Sequence, residues 1–169
     1  MNILLEEASH DHIDHICRLI NMAYRGNDGW TTETQIVDGD RTNPDEIKSI
    51  LSNHNKKLLI VRQNENLVSC VCLERKNECS YISMFAVNPV YQDSGIGKQV
   101  LSQAEDYSMN VLNLKKFAMI VVSSRTELIS YYERRGYVLT GKTAEYPVHL
   151  NVGIPKVSGL SLVYLEKNA

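Results

Sequence analysis

At 169 residues the chain has the length of one domain and leaves little room for two. Hydrophobic residues make up 43% and charged residues 22%, and the formal net charge is −2, which excludes a nucleic-acid binder that works through a strongly basic surface. No apolar run approaches the roughly 20 residues of a membrane span, and residues 1–12 carry neither a basic region nor a long apolar core, so a cytoplasmic protein without a signal peptide is expected.

The elements alternate along the chain. Residues 2–7 read as a short first strand. Ser9 then offers an N-cap, and Ile13, Ile16, Ile20, Ala23 and Tyr24 fall at helical spacing. Residues 26–40 have no period and read as irregular. Asn43-Pro44-Asp45-Glu46 combines a cap residue, a proline at the first helical position and an acid at the third, so a second helix starts there, with Ile47, Ile50 and Leu51 as its apolar stripe. Residues 57–62, 67–75 and 79–87 are strands separated by Asn64-Glu65-Asn66 and Lys76-Asn77-Glu78, and connections this short imply antiparallel neighbours. A glycine turn opens a long helix over about 97–113, with Val100, Leu101, Ala104, Val111 and Leu112 apolar. Residues 117–122 form a continuous apolar run suited to a central strand covered on both faces. A helix over 126–135 stops at Gly136, residues 137–140 make another strand, 141–159 are loop-like and 160–167 close the sheet. The order β-α-α-β-β-β-α-β-α-β-β is a mixed α/β fold: a mostly antiparallel mixed sheet of six to seven strands flanked by four helices.

The stretch between the third central strand and the long helix raises a chemical question. The strand stops at Pro89, and glycines follow at 95 and 97 where the helix begins. The first N–H groups of a helix have no internal partners, the helix dipole adds positive charge there, and glycine lets backbone approach an anion closely. A plain strand-to-helix turn satisfies the same residues. The loop sits at the carboxyl end of a strand, where ligands of such sheets bind. Its spacing matches neither the GxxxxGK[ST] nor the GxGxxG phosphate signature, which speaks against a nucleotide-phosphate binder.

Other clusters carry less. Cysteines at 17, 70, 72 and 79 lack a zinc-site spacing and read as free thiols. His10, His12 and His15, with Asp11 and Asp14, lie in the first turns of a helix without a third ligand, so no metal is expected. Ser123-Ser124 has no histidine at a motif spacing, so a nucleophilic serine is unsupported.

Two stretches carry a resemblance. Val87-x-Pro89 followed by Gln92-x-x-Gly95-Ile96-Gly97 resembles the pyrophosphate loop of the GNAT family of N-acetyltransferases. Tyr131-Tyr132-Glu133-Arg134-Arg135-Gly136-Tyr137 resembles that family's closing helix and its step into a strand. The element order matches over nearly the whole chain. Tyr24-Arg25, Gly29 to Glu33, Arg41, Arg125 to Ile129 and Tyr146-Pro147 further resemble one branch of the family.

The resemblance implies transfer of an acetyl group from acetyl-CoA, without a metal, to an amine on a small molecule or peptide. On it, the backbone of Gln92, Asp93, Ser94, Gly95, Ile96, Gly97 and Lys98 would hold the pyrophosphate, and Phe85-Ala86-Val87 would pair with the pantetheine amides. Tyr132 would donate a hydrogen bond to the leaving sulfur, and Tyr131, about 100° around the helix, would be core. Arg125 stands where members often have asparagine and would serve a phosphate or the substrate. Asp93 stands where members often have glycine or a base, so its carboxylate is expected to face solvent. Glu33 is the first choice for a base, with Glu74 and Glu78 as alternatives. Trp30 and Arg41 join Glu33 in the acceptor pocket. Glu33, Asp38 and Asp40 suit a cationic amine, and Arg25, Arg41 and Arg125 suit a carboxylate. A module that binds acyl-CoA without turnover stays open: Tyr132 favours catalysis, while Asp93 and Arg125 leave room for the alternative. No feature of the sequence specifies an oligomeric state.

Overall fold

The computed structural model describes residues 1–169. The first helix, α1 (Ile13–Arg25), follows a short strand β1 (Glu6–Glu7) and a 3-10 turn at His10–His12; α2 is Pro44–Ser52, α3 Ile96–Asn110 and α4 Thr126–Glu133. The remaining strands are β2 (Val37–Asp38), β3 (Lys56–Gln63), β4 (Asn66–Lys76), β5 (Cys79–Val87), β6 (Lys116–Val122), β7 (Val138–Glu145), β8 (Ile154–Pro155) and β9 (Ser161–Asn168). Seven strands form one sheet in the order β1-β3-β4-β5-β6-β9-β7, and β2 and β8 form a separate ribbon. All neighbours in the large sheet are antiparallel except β5 and β6. The four helices and a main sheet of seven strands are present in the expected order, while β2 and β8 form in segments expected as irregular and loop-like. No helix is long and apolar enough to cross a membrane.

Two apolar layers hold the sheet. One face packs Leu59, Val71, Phe117 and Leu165 against Val100, Leu101 and Ala104 of α3 and Ile129 of α4. The opposite face packs Leu58, Ile60, Cys70 and Cys72 against Ile16 and Ile20 of α1 and Ile47 and Ile50 of α2. Burying an aliphatic side chain of this size contributes about 1.5–3 kcal/mol, so the two layers set the positions of everything between them. The start of α2 is as its sequence requires, with the Asn43 side chain accepting the Glu46 N–H at 2.9 Å and Pro44 in the first turn.

The strands β5 and β6 pair only at Ser80↔Phe117 and Tyr81↔Ala118. Beyond Tyr81 they part. A bulge lies in β5, where Cys70 faces Ala86 but Cys72 faces Ser83, and Met84 within it has φ +48°. Such a bulge bends its strand and increases its twist. Meanwhile β6 pairs with β9 along its whole length. The sheet thus opens into a V, and residues 83–87 present backbone to the opening.

Four expectations about boundaries change, one of them the end of α4, which stops at Glu133 rather than 135. The first strand shrinks to Glu6–Glu7, because the Gln103 side chain on α3 takes the Leu5 N–H at 3.1 Å and donates to the Ile3 carbonyl at 2.9 Å. The helix α3 ends at Asn110 rather than Asn113. The strand β7 runs on to Glu145, past a register shift around Gly141 (φ +84°), through residues expected as loop.

Candidate functional site

The turn into α3 is built from backbone that only certain residues tolerate. Asn88 accepts the Val90 N–H at 3.1 Å and starts a 3-10 turn at Pro89–Tyr91. Asp93 follows at φ +62° and Gly95 at φ +80°, both in the left-handed region. The helix then starts at Ile96, and its first N–H groups point out of its end. A Cβ on Gly97 would lie 3.1 Å from the Tyr131 hydroxyl and 3.8 Å from Phe85 Cζ. Glycine there keeps a channel open between α3, α4 and β5.

That channel is a cleft of about 460 Å³. It is lined by Phe85, Ala86 and Val87 of β5, by Gln92, Asp93, Gly95, Gly97 and Lys98 of the turn, and by Trp30, Arg125, Tyr131, Tyr132, Arg134 and Arg135. Two residues expected with the loop do not face it. Ile96 puts its side chain in the core, and the Ser94 hydroxyl turns back onto the Tyr91 carbonyl. Asp93 is exposed at the rim. The Gln92 side chain bridges two segments, donating to the Val87 carbonyl at 3.0 Å and accepting the Trp30 N–H at 2.6 Å.

A second cleft of about 260 Å³ lies in the opening of the V, between residues 81–85 of β5 and 119–122 of β6. Glu33, Arg41 and Glu74 line it, together with apolar side chains from Met119, Tyr146, Leu150 and Val152. Trp30, expected to wall the acceptor, lines the first cleft instead, with its ring centroid 5.7 Å from that of Tyr131. Glu78 lines neither cleft. Five residues belong to both clefts: Tyr24, Phe85, Arg125, Leu128 and Tyr132.

Tyr132 stands at this junction. It is 6% exposed and packs edge-on against Tyr131 at 5.4 Å and Tyr137 at 6.0 Å. Burial pushes its hydroxyl well above the ordinary tyrosine range, only partly opposed by the nearby guanidiniums of Arg125 and Arg135, so the group stays protonated. Tyr131, expected in the core, is half-buried on the first cleft, with the Arg135 guanidinium 3.5 Å over its ring. The Nε of Arg135 is buried without a hydrogen-bond partner.

Beside the junction sits a buried charge cluster. Glu33, 5% exposed, accepts from Arg25 Nε at 3.1 Å on one carboxylate oxygen and from an Arg125 terminal nitrogen at 3.3 Å on the other. Arg25 also donates to the Gly39 carbonyl at 2.6 Å and to the Tyr146 hydroxyl at 2.9 Å. Arg125 donates to the Thr31 carbonyl at 3.0 Å. These partners come from α1, the segment after it, the start of α4 and the segment after β7. The branch pattern read in the sequence (Tyr24, Arg25, Thr31, Glu33, Arg41, Arg125, Tyr146) therefore converges on one place. Sequence reasoning missed that Tyr24 lies between the clefts, that Tyr131 lines one, and that Arg134 and Arg135 reach the first. The adjacent arginines after the tyrosine pair were the available signal. No three metal-ligating side chains come together.

Comparison with known proteins agrees with this architecture. Residues 14–137 match the acetyltransferase (GNAT) family. Over 100 residues the chain is 27% identical to the spermidine N(1)-acetyltransferase of Vibrio cholerae, a match spanning 58% of this chain and 58% of that enzyme. The crystal structure of a spermidine N-acetyltransferase from Vibrio cholerae with CoA and spermine aligns with a TM-score of 0.72 at 18% identity, covering 98% of this chain and 95% of that one. The ribosomal-protein-S18-alanine N-acetyltransferase of Escherichia coli aligns with a TM-score of 0.72 at 12% identity, covering 99% and 94%. At these identities the structural likeness establishes the fold alone.

Proposed function

The chain belongs to the acetyltransferase (GNAT) family, and from that premise we propose that it transfers an acetyl group from acetyl-CoA to the nitrogen of a small-molecule or peptide amine. The observation that carries this reading is the meeting of two clefts at Tyr132, one with a backbone anion cradle and one opening between parted strands.

The first cleft fits acetyl-CoA. The N–H groups at the start of α3 suit the pyrophosphate, and Lys98, Arg134 and Arg135 add cations around the same cleft. The backbone of Phe85 to Val87, freed from β6, suits the pantetheine amides in the way a strand adds to a sheet edge. Acetyl-CoA supplies the acetyl group as a thioester. In the reaction the amine nitrogen forms a bond to the carbonyl carbon, the carbon–sulfur bond breaks with its electron pair on sulfur, and the proton lost by the amine balances the thiolate.

The chain's residues act on charge and protons in that exchange. Tyr132 keeps its proton and donates a hydrogen bond to the sulfur as charge develops there. Full transfer of that proton is uphill, because burial raises the tyrosine further above a thiol of pKa about 8.5. Glu33, the first-choice base, has each oxygen engaged by a guanidinium and acts instead to hold Arg25 and Arg125 in place. Glu74 reaches the same cleft and holds only Lys56 Nζ, at 3.9 Å, so it is the better-placed proton acceptor.

Calorimetric titration with acetyl-CoA, with ADP in parallel, tests the binding half. Acetyl-CoA is expected to bind much more tightly than ADP, because only it spans both the cradle and the strand edge. Equal affinities, or no heat from acetyl-CoA, would remove the reading. Thiol release with an amine panel, compared between wild type and Tyr132→Phe, tests the catalytic half.

A further inference from the structure

We propose that the acceptor is an amine that also carries an anionic group, a carboxylate or phosphate, which Arg41 and Arg125 hold at the second cleft. Amino-acid-like amines, rather than polyamines, are then the substrate class. This rests on the acetyltransferase reading above and adds the identity of the acceptor to it.

Four charged side chains line the second cleft: Glu33, Arg41, Glu74 and Arg125. Glu33 is already spent on two guanidiniums, at 3.1 and 3.3 Å. One carboxylate between two arginines leaves the cluster with one uncompensated positive charge. Arg25 is the buried member: it does not line the cleft, and the Gly39 and Val152 carbonyls and the Tyr146 hydroxyl take its remaining donors. Arg125 is the member that lines the cleft. Arg41 adds a second guanidinium. Its only carboxylate partner is Glu46, at 3.5 Å, and Glu46 also accepts from the Thr42 hydroxyl at 3.2 Å. The side chain of Arg41 remains 21% exposed.

The two guanidiniums are arranged about one ring. Arg41 lies 5.7 Å and Arg125 5.8 Å from the centroid of Tyr24, which sits at the junction of the clefts. Thr31 and Glu33 occupy the Arg125 nitrogens, so an anion near that ring meets the Arg41 fork and, beside it, the positive charge of Arg125. A polyamine brings several ammonium groups to a cleft with one loosely held carboxylate, so the others would meet the Arg41 and Arg125 guanidiniums. The carboxylate left for an ammonium is Glu74, on β4 opposite Tyr81. One amine and one anion match this layout, and the apolar remainder of the lining suits an aliphatic or aromatic body.

The test uses the wild-type protein with acetyl-CoA. Its acceptor panel is L-leucine, L-phenylalanine, their carboxamides, phosphoethanolamine, spermidine and spermine. Thiol release gives turnover, and calorimetry on the CoA-loaded protein detects acceptors that bind but react slowly. At least one anionic amine is expected to exceed its carboxamide and both polyamines by about tenfold in kcat/KM or affinity. The leucine and phenylalanine arms against phosphoethanolamine tell carboxylate from phosphate. Arg41→Gln is expected to raise KM for the anionic amine about tenfold with kcat within about twofold, and Arg41→Lys to restore part of the loss. Preference for a polyamine or a carboxamide would overturn the inference, as would acetyl-CoA binding with no anionic amine bound or turned over. Failure of acetyl-CoA itself to bind would overturn the acetyltransferase reading and this inference with it.

Discussion

The two clefts meet at one tyrosine but are made of different material. The first is backbone: a left-handed turn, the open end of α3 and a strand edge released by a bulge. Its side chains matter mostly where they are missing, at Gly95 and Gly97. The second is side chain: an arginine–glutamate–arginine cluster tied together across 92 positions between Glu33 and Arg125 and 121 between Arg25 and Tyr146. A backbone site tolerates many sequences and binds what all relatives share. A side-chain site changes its ligand with a few substitutions. With acetyl-CoA in the first cleft and the acceptor in the second, as proposed, the cofactor side would tolerate sequence change and the acceptor side would respond to it.

The largest effect is expected where the side-chain region is broken at its centre. Glu33→Ala leaves Arg25 and Arg125, with side chains 6% and 9% exposed, without their shared carboxylate. Removing one partner of a buried ion cluster costs about 3–5 kcal/mol, because the remaining charge stays desolvated. Urea denaturation should register this loss in full. A loss below about 1 kcal/mol would mean that water reaches the arginines and that the cluster is not a closed unit.

At the junction, Tyr132→Phe should lower kcat by about 10²–10³-fold, the usual cost of one hydrogen-bond donor to developing charge, with acetyl-CoA affinity unchanged. Burial raises the Tyr132 pKa above its unfolded value near 10. The pH–rate profile should therefore rise as the amine loses its proton and show no falling limb from this tyrosine below about pH 10. The same shift contributes stability that is fully present below the unfolded value. It is lost as pH rises above about 10, where the unfolded chain ionises first. A falling limb near pH 9 that disappears in Tyr132→Phe would reverse this assignment.

Gly97→Val asks whether the first cleft is built by what is absent. The new side chain would meet the Tyr131 hydroxyl and Phe85 and fill the channel. Acetyl-CoA affinity should fall at least tenfold, about 1.4 kcal/mol, while ADP, which does not need the strand edge, loses less. Equal losses for both ligands would place the whole binding site at the turn and none at β5.

The two regions were unequally legible in the sequence. Proline, two glycines and a helical period within a dozen residues announced the turn, because its chemistry is local. The order of elements followed from periodicity for the same reason. The V between β5 and β6 could not be read, since the Met84 bulge depends on register with β4 rather than on any local breaker. Residues 141–145 read as loop because Gly141 interrupts a strand whose continuation is fixed by pairing with β9. Glu33 was named as a base because its type and segment suggested one. That both its oxygens are taken by arginines from distant segments is a fact of tertiary structure. Tyr131 was assigned to the core by its angle on the helix, and Gly97, by having no side chain, makes the space in which it faces a cleft.

The smallest effect tests whether the regions are independent. Gln92 ties the strand edge of the first cleft to the segment that leads into the charge cluster, donating to Val87 in β5 and accepting from Trp30. An amide can do this because it carries a donor and an acceptor on one carbon. Gln92→Ala should cost about 1–2 kcal/mol for the two bonds, and hydrogen exchange should quicken at the Trp30 amide while that of α3 stays protected. Gln92→Glu keeps an acceptor for Trp30 but sets a carboxylate oxygen against the Val87 carbonyl, so it should be at least as destabilising as alanine. If both variants keep wild-type stability but weaken the acceptor KM, Gln92 is a link from the cofactor turn to the acceptor segment, and the clefts communicate through it. If stability falls while the KM values of the remaining folded protein hold, the bridge only fastens a loop, and the backbone and side-chain halves of the site work separately.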